Sequence, residues 1–397
     1  MSNIPKLRFR EFSGEWNKEK FGELCGFEQG VQVDVELQHK EPNDNLVKFI
    51  RIENYTQNSN DFRFIPRELA KKKSIDSKEI AIVRYGATAG FIGRGLEGVL
   101  ANNLFKLKPD KKLLDDKYLY HYLKSYKAFH FFQSEMSGGA MPALSFGIVK
   151  ALKLPYPSKQ EQEKIASFLT SVDTKIEQLT KKEELLGQYK KGVMQKIFNQ
   201  EIRFKADDGS EFPEWVEKKL GEYLIQKSKK NKDSQTNLVL SVSNKRGFIT
   251  QDEQFNGYEV ASKDLAGYKI VEKNEYAYNP SRINVGSIAR LENFSMGIVS
   301  PMYVIFQLKD SLNPTFFDNL YKTHRFKYLI KIGCSGSVRD SLNFNDMANF
   351  KVLIPVLEEQ TKIATFLSSL DKKIELTDKE LNATKEFKKA LLQKMFV

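Results

Sequence analysis

The side chains that most often carry catalysis are sparse in this chain and are not grouped along it. Its four histidines are His39, His121, His130 and His324. His121 and His130 fall in one predicted helix but lie nine residues apart, which does not place them together as metal ligands. The chain has no G-x-x-x-x-G-K-[ST] loop, so nucleotide hydrolysis is not expected. We interpret the histidines as structural.

Two short patterns resemble catalytic motifs only in part. Residues 109–110 and 115–117 (Pro-Asp and Asp-Asp-Lys) have the residue types of a Mg²⁺-dependent nuclease, but their spacing is very tight. Acidic residues at the positive end of a helix explain them better. Residues 279–282 and 313–316 each match half of the Asn-Pro-Pro-aromatic loop of amino-methyltransferases, and both lack the second proline. We therefore predict neither nuclease nor methyltransferase activity in this chain.

The polar side chains that remain suit binding. Lysine runs at 71–73 and 227–232 either contact phosphates or are merely solvated, and both interpretations stay open. Arginine, asparagine and serine on loops can reach the edges of nucleic-acid bases. The candidate contacts are Lys71, Lys72, Arg84, Tyr85, Thr88, Arg94, Ser137, Asn244, Lys245, Arg246, Tyr278, Ser281, Arg282, Ser337 and Arg339.

Composition sets the class of the molecule that carries these side chains. The chain has 397 residues, 41% of them hydrophobic, which fits a folded protein of several domains. A net charge of +12 favours a polyanionic partner. No apolar run approaches a membrane span, and no apolar segment near the N-terminus predicts a signal peptide. The two cysteines, Cys25 and Cys334, are too few for a disulfide framework and fit a reducing cytosol.

The chain is an internal repeat. When it is shifted by 198 residues, the segment 157–198 aligns with 355–396, and 19 of 42 positions are identical. The preceding segments match more weakly. The sequence therefore predicts two copies of one unit, 1–198 and 199–397, each a variable globular part followed by a nearly invariant segment.

The invariant segments predict long helices. Their apolar residues recur at alternating steps of four and three, which is a heptad pattern. In the first copy these are Ile165, Leu169, Val172, Ile176, Leu179, Leu186, Val193 and Ile197. The second copy has the same register, interrupted at Thr377, Thr384 and Lys388. Because the two apolar seams match and a globular part lies between them, we expect one antiparallel coiled coil with a globular domain at each end.

Four aromatic residues widen the apolar face of these helices. Phe168 and Phe366 lie beside the seam, as do Tyr189 and Phe387. They either pack against the globular parts or form a docking surface for another subunit, and both interpretations stay open.

Each globular part is predicted to be mixed α/β (α+β). The predicted strands of the first are 46–52, 79–85 and 99–107, and its helix is 115–135. The predicted strands of the second are 238–242, 249–251, 288–291 and 299–308, and its helix is 314–331. Glycine-rich turns at 84–90, 137–139 and 335–337 would let the backbone approach a ligand closely.

The whole chain resembles the specificity subunits of type I restriction–modification systems. The resemblance is carried by two P-x-x-E-Q-x-x-I helix starts, one containing Glu161 and Gln162 and the other Glu359 and Gln360. It implies target-recognition domains at 1–157 and 199–355, and conserved spacer helices at 158–198 and 356–397. Each recognition domain would bind one half of a bipartite double-stranded DNA site.

The resemblance also implies partners. Two methyltransferase subunits would dock on the helices, restriction subunits would dock through them, and the complex would be cytoplasmic. S-adenosylmethionine, ATP and Mg²⁺ would be held by those partners, with no cofactor or metal in this chain. Two alternatives remain: a stand-alone regulator with two DNA-binding domains, or an enzyme within one chain.

Overall fold

A computed structural model describes residues 3–136, 142–244, 246–255, 265–334 and 341–397. The chain divides into two compact units. Unit 1 comprises residues 1–181 and 378–397, and unit 2 comprises residues 182–377. Both divisions between the units fall inside long helices, so each unit contains part of each of them.

Unit 1 contains a mixed globular part and the start of the central helix. Its strands are β1 (Asn17–Lys20), β2 (Cys25–Gln29), β3 (Leu46–Ile50), β4 (Arg63–Pro66), β5 (Ala81–Val83), β6 (Ile92–Gly93), β7 (Val99–Leu100), β8 (Leu104–Pro109) and β9 (Lys153–Tyr156). Its helices are α1 (Phe21–Leu24), α2 (Ile52–Thr56), α3 (Asp116–Leu123), α4 (Tyr126–Met136), α5 (Phe146–Ala151) and the long α6 (Lys159–Phe198), which continues into unit 2.

Unit 2 has the same kinds of element. Its strands are β10 (Val216–Lys219), β11 (Leu224–Lys227), β12 (Leu240–Ser243), β13 (Gly247–Thr250), β14 (Lys269–Glu272), β15 (Tyr276–Tyr278), β16 (Ile288–Arg290), β17 (Met296–Val299), β18 (Val304–Leu308) and β19 (Lys351–Ile354). Its helices are α7 (Gln251–Phe255), α8 (Pro314–Leu320), α9 (His324–Cys334), α10 (Phe344–Ala348) and the long α11 (Leu357–Lys394), which continues into unit 1.

The two units share a sheet topology. The main sheet has the order β2-β8-β5-β6 in unit 1 and β11-β18-β15-β16 in unit 2, and all its neighbouring strands are antiparallel. Each unit also has a separate antiparallel pair, β1 with β9 or β10 with β19, and its second strand lies just before the long helix in sequence. The remaining sheets differ: unit 1 has β4-β3-β7, whereas unit 2 has β12-β13 and β14-β17. The predicted repeat and mixed fold are confirmed.

One aromatic arrangement recurs where each globular part meets the helices. In unit 1, Tyr118 packs between Trp16 and Phe396, with ring centroids 6.2 and 5.6 Å away. In unit 2, Phe316 packs in the same way against Trp215 and Phe198, at 6.0 and 5.4 Å. Buried aromatic rings contribute large apolar areas, so these contacts fix the end of one long helix in the core of each unit.

The long helices pair in antiparallel fashion within each unit. In unit 1, the start of α6 (Ile165, Leu169) shares a core with Leu391 near the end of α11 and with Met395, the residue that follows the helix. In unit 2, the end of α6 (Ile197) shares a core with the start of α11. The predicted antiparallel pairing is confirmed.

Two of the residues expected to interrupt the apolar seam of the second long helix lie within that seam. Thr377 is buried, and Lys388 is mostly covered, with 15% of its side chain exposed. Lys388 pairs with Asp173, and the equivalent Lys190 of α6 pairs with Asp371. A heptad pattern counted on apolar residues alone misses such positions, because an ion pair can occupy the seam.

Four predicted elements are each divided in the structure. The helix predicted over 115–135 is two helices, α3 and α4, and the one over 314–331 is α8 and α9. The strand predicted over 299–308 is interrupted because Pro301 lies in a turn in which the Tyr303 amide donates to the Ser300 carbonyl. The turn at 101–103 divides 99–107 in the same way.

Among the residues that the structure describes, no helix combines the length and the apolar character needed to cross a bilayer.

Candidate nucleic-acid interface

The Glu-Gln pair at the start of each long helix locks that helix to the globular part. The buried Gln162 side chain accepts a hydrogen bond from the Asp115 amide and donates to the Leu113 and Pro157 carbonyls. Gln360 repeats this pattern with the Asn313 amide. Since Asp115 and Asn313 also cap helices α3 and α8, these residues have structural roles. Helix capping therefore accounts for both side chains without a nuclease or methyltransferase site.

Unit 1 presents a loop, residues 84–90, after strand β5. Gly86 and Gly90 have φ of +90° and +86°, which a glycine adopts without strain. The Gly86 amide donates to the Pro142 carbonyl at 3.1 Å, and the Arg84 carbonyl accepts from the Leu144 amide at 2.8 Å. The loop is therefore held in place by the segment that precedes α5.

Arg84 is packed between two rings in this loop. Its guanidinium lies 4.9 Å from the ring centroid of Tyr85 and 4.7 Å from that of Phe146. Tyr85 is 37% exposed, and Thr88 is exposed. A stacked arginine beside an exposed aromatic ring is suited to contact bases, because both groups present planar faces and fixed donors.

Unit 2 presents the equivalent loop, residues 279–286, after strand β15. The Leu342 amide donates to the Pro280 carbonyl at 3.1 Å, which corresponds to the Leu144–Arg84 hydrogen bond of unit 1. Ser281 and Arg282 are exposed. A cavity of about 360 Å³ lies beside the loop, and its lining includes Asn244, Gln251, Asn279 and Arg282. Amide and guanidinium groups of this kind read base edges.

A second cavity of unit 2, of about 580 Å³, is richer in charge. Its cationic side chains are Arg246, Arg290, Lys322 and Lys327, and its carboxylates are Glu292 and Asp318. Desolvation lowers the pKa of Lys322 and raises that of Asp318, although Arg290 donates to Asp318 at 2.8 Å.

Of these charged groups, only Arg246 is among the contacts predicted from the sequence. Arg290, Lys322 and Lys327 are missed because no run or motif marks them. The repeat offers a signal, since Lys322 is equivalent to Lys124.

The remaining predicted contacts are scattered. Lys71 and Lys72 are exposed on a separate left-handed turn. Arg94 is half-buried, and its Nε donates to the Lys78 carbonyl at 2.9 Å. Tyr278 is a correction: it is 0% exposed in the core, packed against Phe306, because it lies within β15 and not on the loop that follows. Ser137, Lys245, Ser337 and Arg339 lie outside the described residues.

The four helix aromatics divide into two pairs. Phe168 and Phe366 pack on Phe9 and Phe204, at centroid distances of 5.8 and 5.6 Å. Tyr189 and Phe387, which are equivalent in the repeat, are 55% and 52% exposed. The packing interpretation therefore applies to the first pair, and only the second pair is available to a partner.

The fold and these loops define a class of protein that carries one recognition scaffold twice, each copy packed against a pair of long helices. Residues 13–186 and 213–386 both match the type I restriction modification DNA specificity domain. The two matches cover most of the chain, and the chain belongs to this family.

Relatives match along most of the chain. The type I restriction enzyme MjaVIII specificity subunit of Methanocaldococcus jannaschii is 26% identical, over 99% of this chain and 96% of its own. The type I restriction enzyme MjaIX specificity subunit of the same organism is 24% identical over 78% of this chain and 74% of its own.

A solved structure shares the fold. The type I restriction–modification S subunit from M. genitalium superposes with a TM-score of 0.63 at 18% identity, covering 99% of both chains. The predicted family is confirmed.

Proposed function

We propose that this chain is the non-catalytic subunit that gives a type I restriction–modification complex its DNA specificity. Each repeated domain would bind one half of a bipartite double-stranded DNA target. The observation that carries this proposal is the duplication of one scaffold with different loops: residues 84–90 and 279–286 occupy equivalent positions in equivalent sheets and share little sequence. One scaffold that carries two different sets of loop contacts is suited to bind two different half-sites.

The partners follow from the same proposal. Two methyltransferase subunits would dock on the long helices, one at Tyr189 and one at Phe387, and restriction subunits would join through them. S-adenosylmethionine, ATP and Mg²⁺ would be bound by those subunits. The complex would act in the cytoplasm, where its DNA is.

The modular interpretation can be tested in a host that carries the chain and its methyltransferase subunits. Residues 1–157 would be replaced by the matching segment of another family member, and methylated adenines would be mapped by single-molecule sequencing. We expect one half of the methylated motif to change and the other to persist. The reciprocal exchange of 199–355 is the matched control and should change the other half. A motif altered in both halves by either exchange would refute one domain per half-site.

The partner proposal has a separate test. Tyr189→Ala and Phe387→Ala should each reduce the amount of methyltransferase subunit that copurifies, because exposed aromatic rings are common anchors of interfaces. Tyr328→Ala and Phe129→Ala are the matched controls, since these rings are 62% and 55% exposed but lie off the long helices. If both helix variants assembled normally with the methyltransferase subunits, Tyr189 and Phe387 would not be the docking site. DNA methylation by the chain without a partner would favour an enzyme within one chain. A function in the DNA-bound state that needs no partner would favour the stand-alone regulator.

A further inference from the structure

A pair of cationic side chains recurs in both units, on the same two elements. In unit 1, Arg94 follows strand β6 and Lys124 follows helix α3. In unit 2, Arg290 ends strand β16 and Lys322 follows helix α8. We name Arg94 with Lys124, and Arg290 with Lys322, the basic pairs.

In unit 1 both cations of the basic pair lie beside the same tyrosine, Tyr120. The Lys124 ammonium donates to the Tyr120 hydroxyl at 3.1 Å, and the Arg94 guanidinium lies 5.9 Å from the Tyr120 ring centroid. In unit 2 the equivalent of Tyr120 is Asp318, which accepts from Arg290 at 2.8 Å and stabilises the charged form of Lys322. The residue between the two cations thus changes from tyrosine to aspartate, whereas both cations are kept.

Each basic pair lies near an ion pair of the long helices. Lys388 and Asp173 act electrostatically on His121, as do Arg94 and Lys124, so all four lie around that histidine in unit 1. Lys190 and Asp371 act in the same way on Lys322 in unit 2. Asp173 and Asp371 neutralise the helix lysines. In unit 2, Arg290 is itself paired with Glu292 at 2.7 Å and with Asp318 at 2.8 Å, so the positive charge left for a ligand there comes from Lys322 and the neighbouring cations of the cavity.

The surroundings of the unit 2 pair are those of an anion site. It lines the 580 Å³ cavity together with Arg246 and Lys327, so four cations face two carboxylates. Among the described residues, the buried Arg290 Nε has no hydrogen-bond partner. Lys322 is exposed to this cavity, and partial desolvation of its ammonium lowers its pKa, so an anion bound there would stabilise the charged form.

We infer that the basic pairs bind DNA phosphates, one pair for each half-site. This inference rests on the proposed function. Within the repeat, the loops 84–90 and 279–286 differ, as contacts to two base sequences must, whereas the basic pairs are the same. Phosphates are the ligand that every half-site presents alike, and cations that bind them position the protein without reading sequence.

The test uses the subunit assembled with its methyltransferase partners. Lys124→Gln and Lys322→Gln remove one charge each from exposed side chains. Lys117→Gln and Lys309→Gln are matched controls, because these lysines are also exposed, on or beside the elements that carry the basic pairs. Affinities for a duplex with the methylated motif and for a scrambled duplex would be measured over a range of salt concentrations.

We expect Lys124→Gln and Lys322→Gln each to weaken binding to the two duplexes by the same factor. Each should reduce the slope of log affinity against log salt by about 0.9, the value for one lost phosphate contact. The controls should keep the slope, and the methylated motif should not change.

Three outcomes would count against the inference, and they can be told apart. Unchanged affinity and slope in both variants would overturn it while leaving the proposed function intact. Weaker binding of the motif duplex alone would assign these lysines to base reading. A wild-type complex that binds no duplex would overturn the proposed function as well.

Discussion

The Arg8 guanidinium and the buried Glu161 carboxylate form two hydrogen bonds, both 2.7 Å long, that join the N-terminal segment to the start of α6. Arg203 and Glu359 repeat this pair in unit 2, at 3.2 and 2.9 Å. The glutamate of the P-x-x-E-Q-x-x-I pattern is therefore an internal anchor and not a surface group. Its partner arginine lies about 150 residues earlier, at a separation of 153 in unit 1.

Removal of the anchor should destabilise one unit. Glu161→Ala leaves the Arg8 guanidinium without its carboxylate, and breaking a buried pair costs about 3–5 kcal/mol. Unfolding of unit 1 can be followed by the fluorescence of the buried Trp16 in a Trp215→Phe background, since the chain has two tryptophans. The exposed neighbour Glu163→Ala is the control and should change stability by less than about 0.5 kcal/mol. Equal effects of the two substitutions would show that the anchor adds nothing.

The anchor illustrates what the sequence could and could not give. The repeat, the heptad register and the paired helix starts are short-range patterns, and they predicted the architecture. The partners of Glu161 and Gln162 could not be predicted, because Arg8 and Asp115 are distant in sequence and belong to no motif. Tyr278 shows the opposite error: it is predicted as a contact because it lies beside polar and basic residues near a turn, whereas it is the last residue of β15 and its ring is buried in the core.

The ion pair within the seam gives a second prediction. Lys190→Met alone should destabilise unit 2 by no more than about 1 kcal/mol, because the Asp371 side chain is 57% exposed and stays hydrated when its cation is removed. Adding Asp371→Leu should change the stability less in the Lys190→Met background than in the wild type, since the pair is already broken there. Trp215 fluorescence in a Trp16→Phe background measures unit 2. Lys191→Met, on the exposed side of α6, is the control. Additive effects of the two substitutions would mean that the pair is not coupled.

Acid should destabilise unit 1 through His121. Desolvation lowers the pKa of this 2% exposed imidazole to about 4, and Lys388, Lys124 and Arg94 act in the same direction against Asp173. Because the pKa in the folded state is below that in the unfolded state, the stabilisation is complete above pH 6.5 or so and is lost as the pH falls towards 4. The loss would reach about 3 kcal/mol.

His121→Asn tests this assignment, because asparagine is the residue at the equivalent position, 319, of unit 2. The variant should lose less stability than the wild type between pH 6.5 and 4, as measured by Trp16 fluorescence during urea unfolding. His130→Asn, at an exposed position of α4, should keep the wild-type dependence. If the His121 variant shows the same slope as the wild type, other groups cause the acid sensitivity.

The loops should carry the sequence discrimination, and each should affect its own half-site. Arg84→Lys keeps the positive charge but removes the planar fork of donors. Lysine also packs less rigidly between the Tyr85 and Phe146 rings. If Arg84 reads a base, the variant should lose about 1–3 kcal/mol of affinity for the motif duplex and none for a scrambled duplex. Arg282→Lys should do the same for the other half-site, because Arg282 lines the amide-rich cavity of unit 2.

Duplexes with base substitutions in one half-site at a time would show which half each variant has stopped reading. Each variant should become insensitive to substitutions at one position of its own half-site and remain as sensitive as the wild type in the other. Equal losses on motif and scrambled duplexes would instead place both arginines on phosphates, and the loops would then not be the base-reading elements.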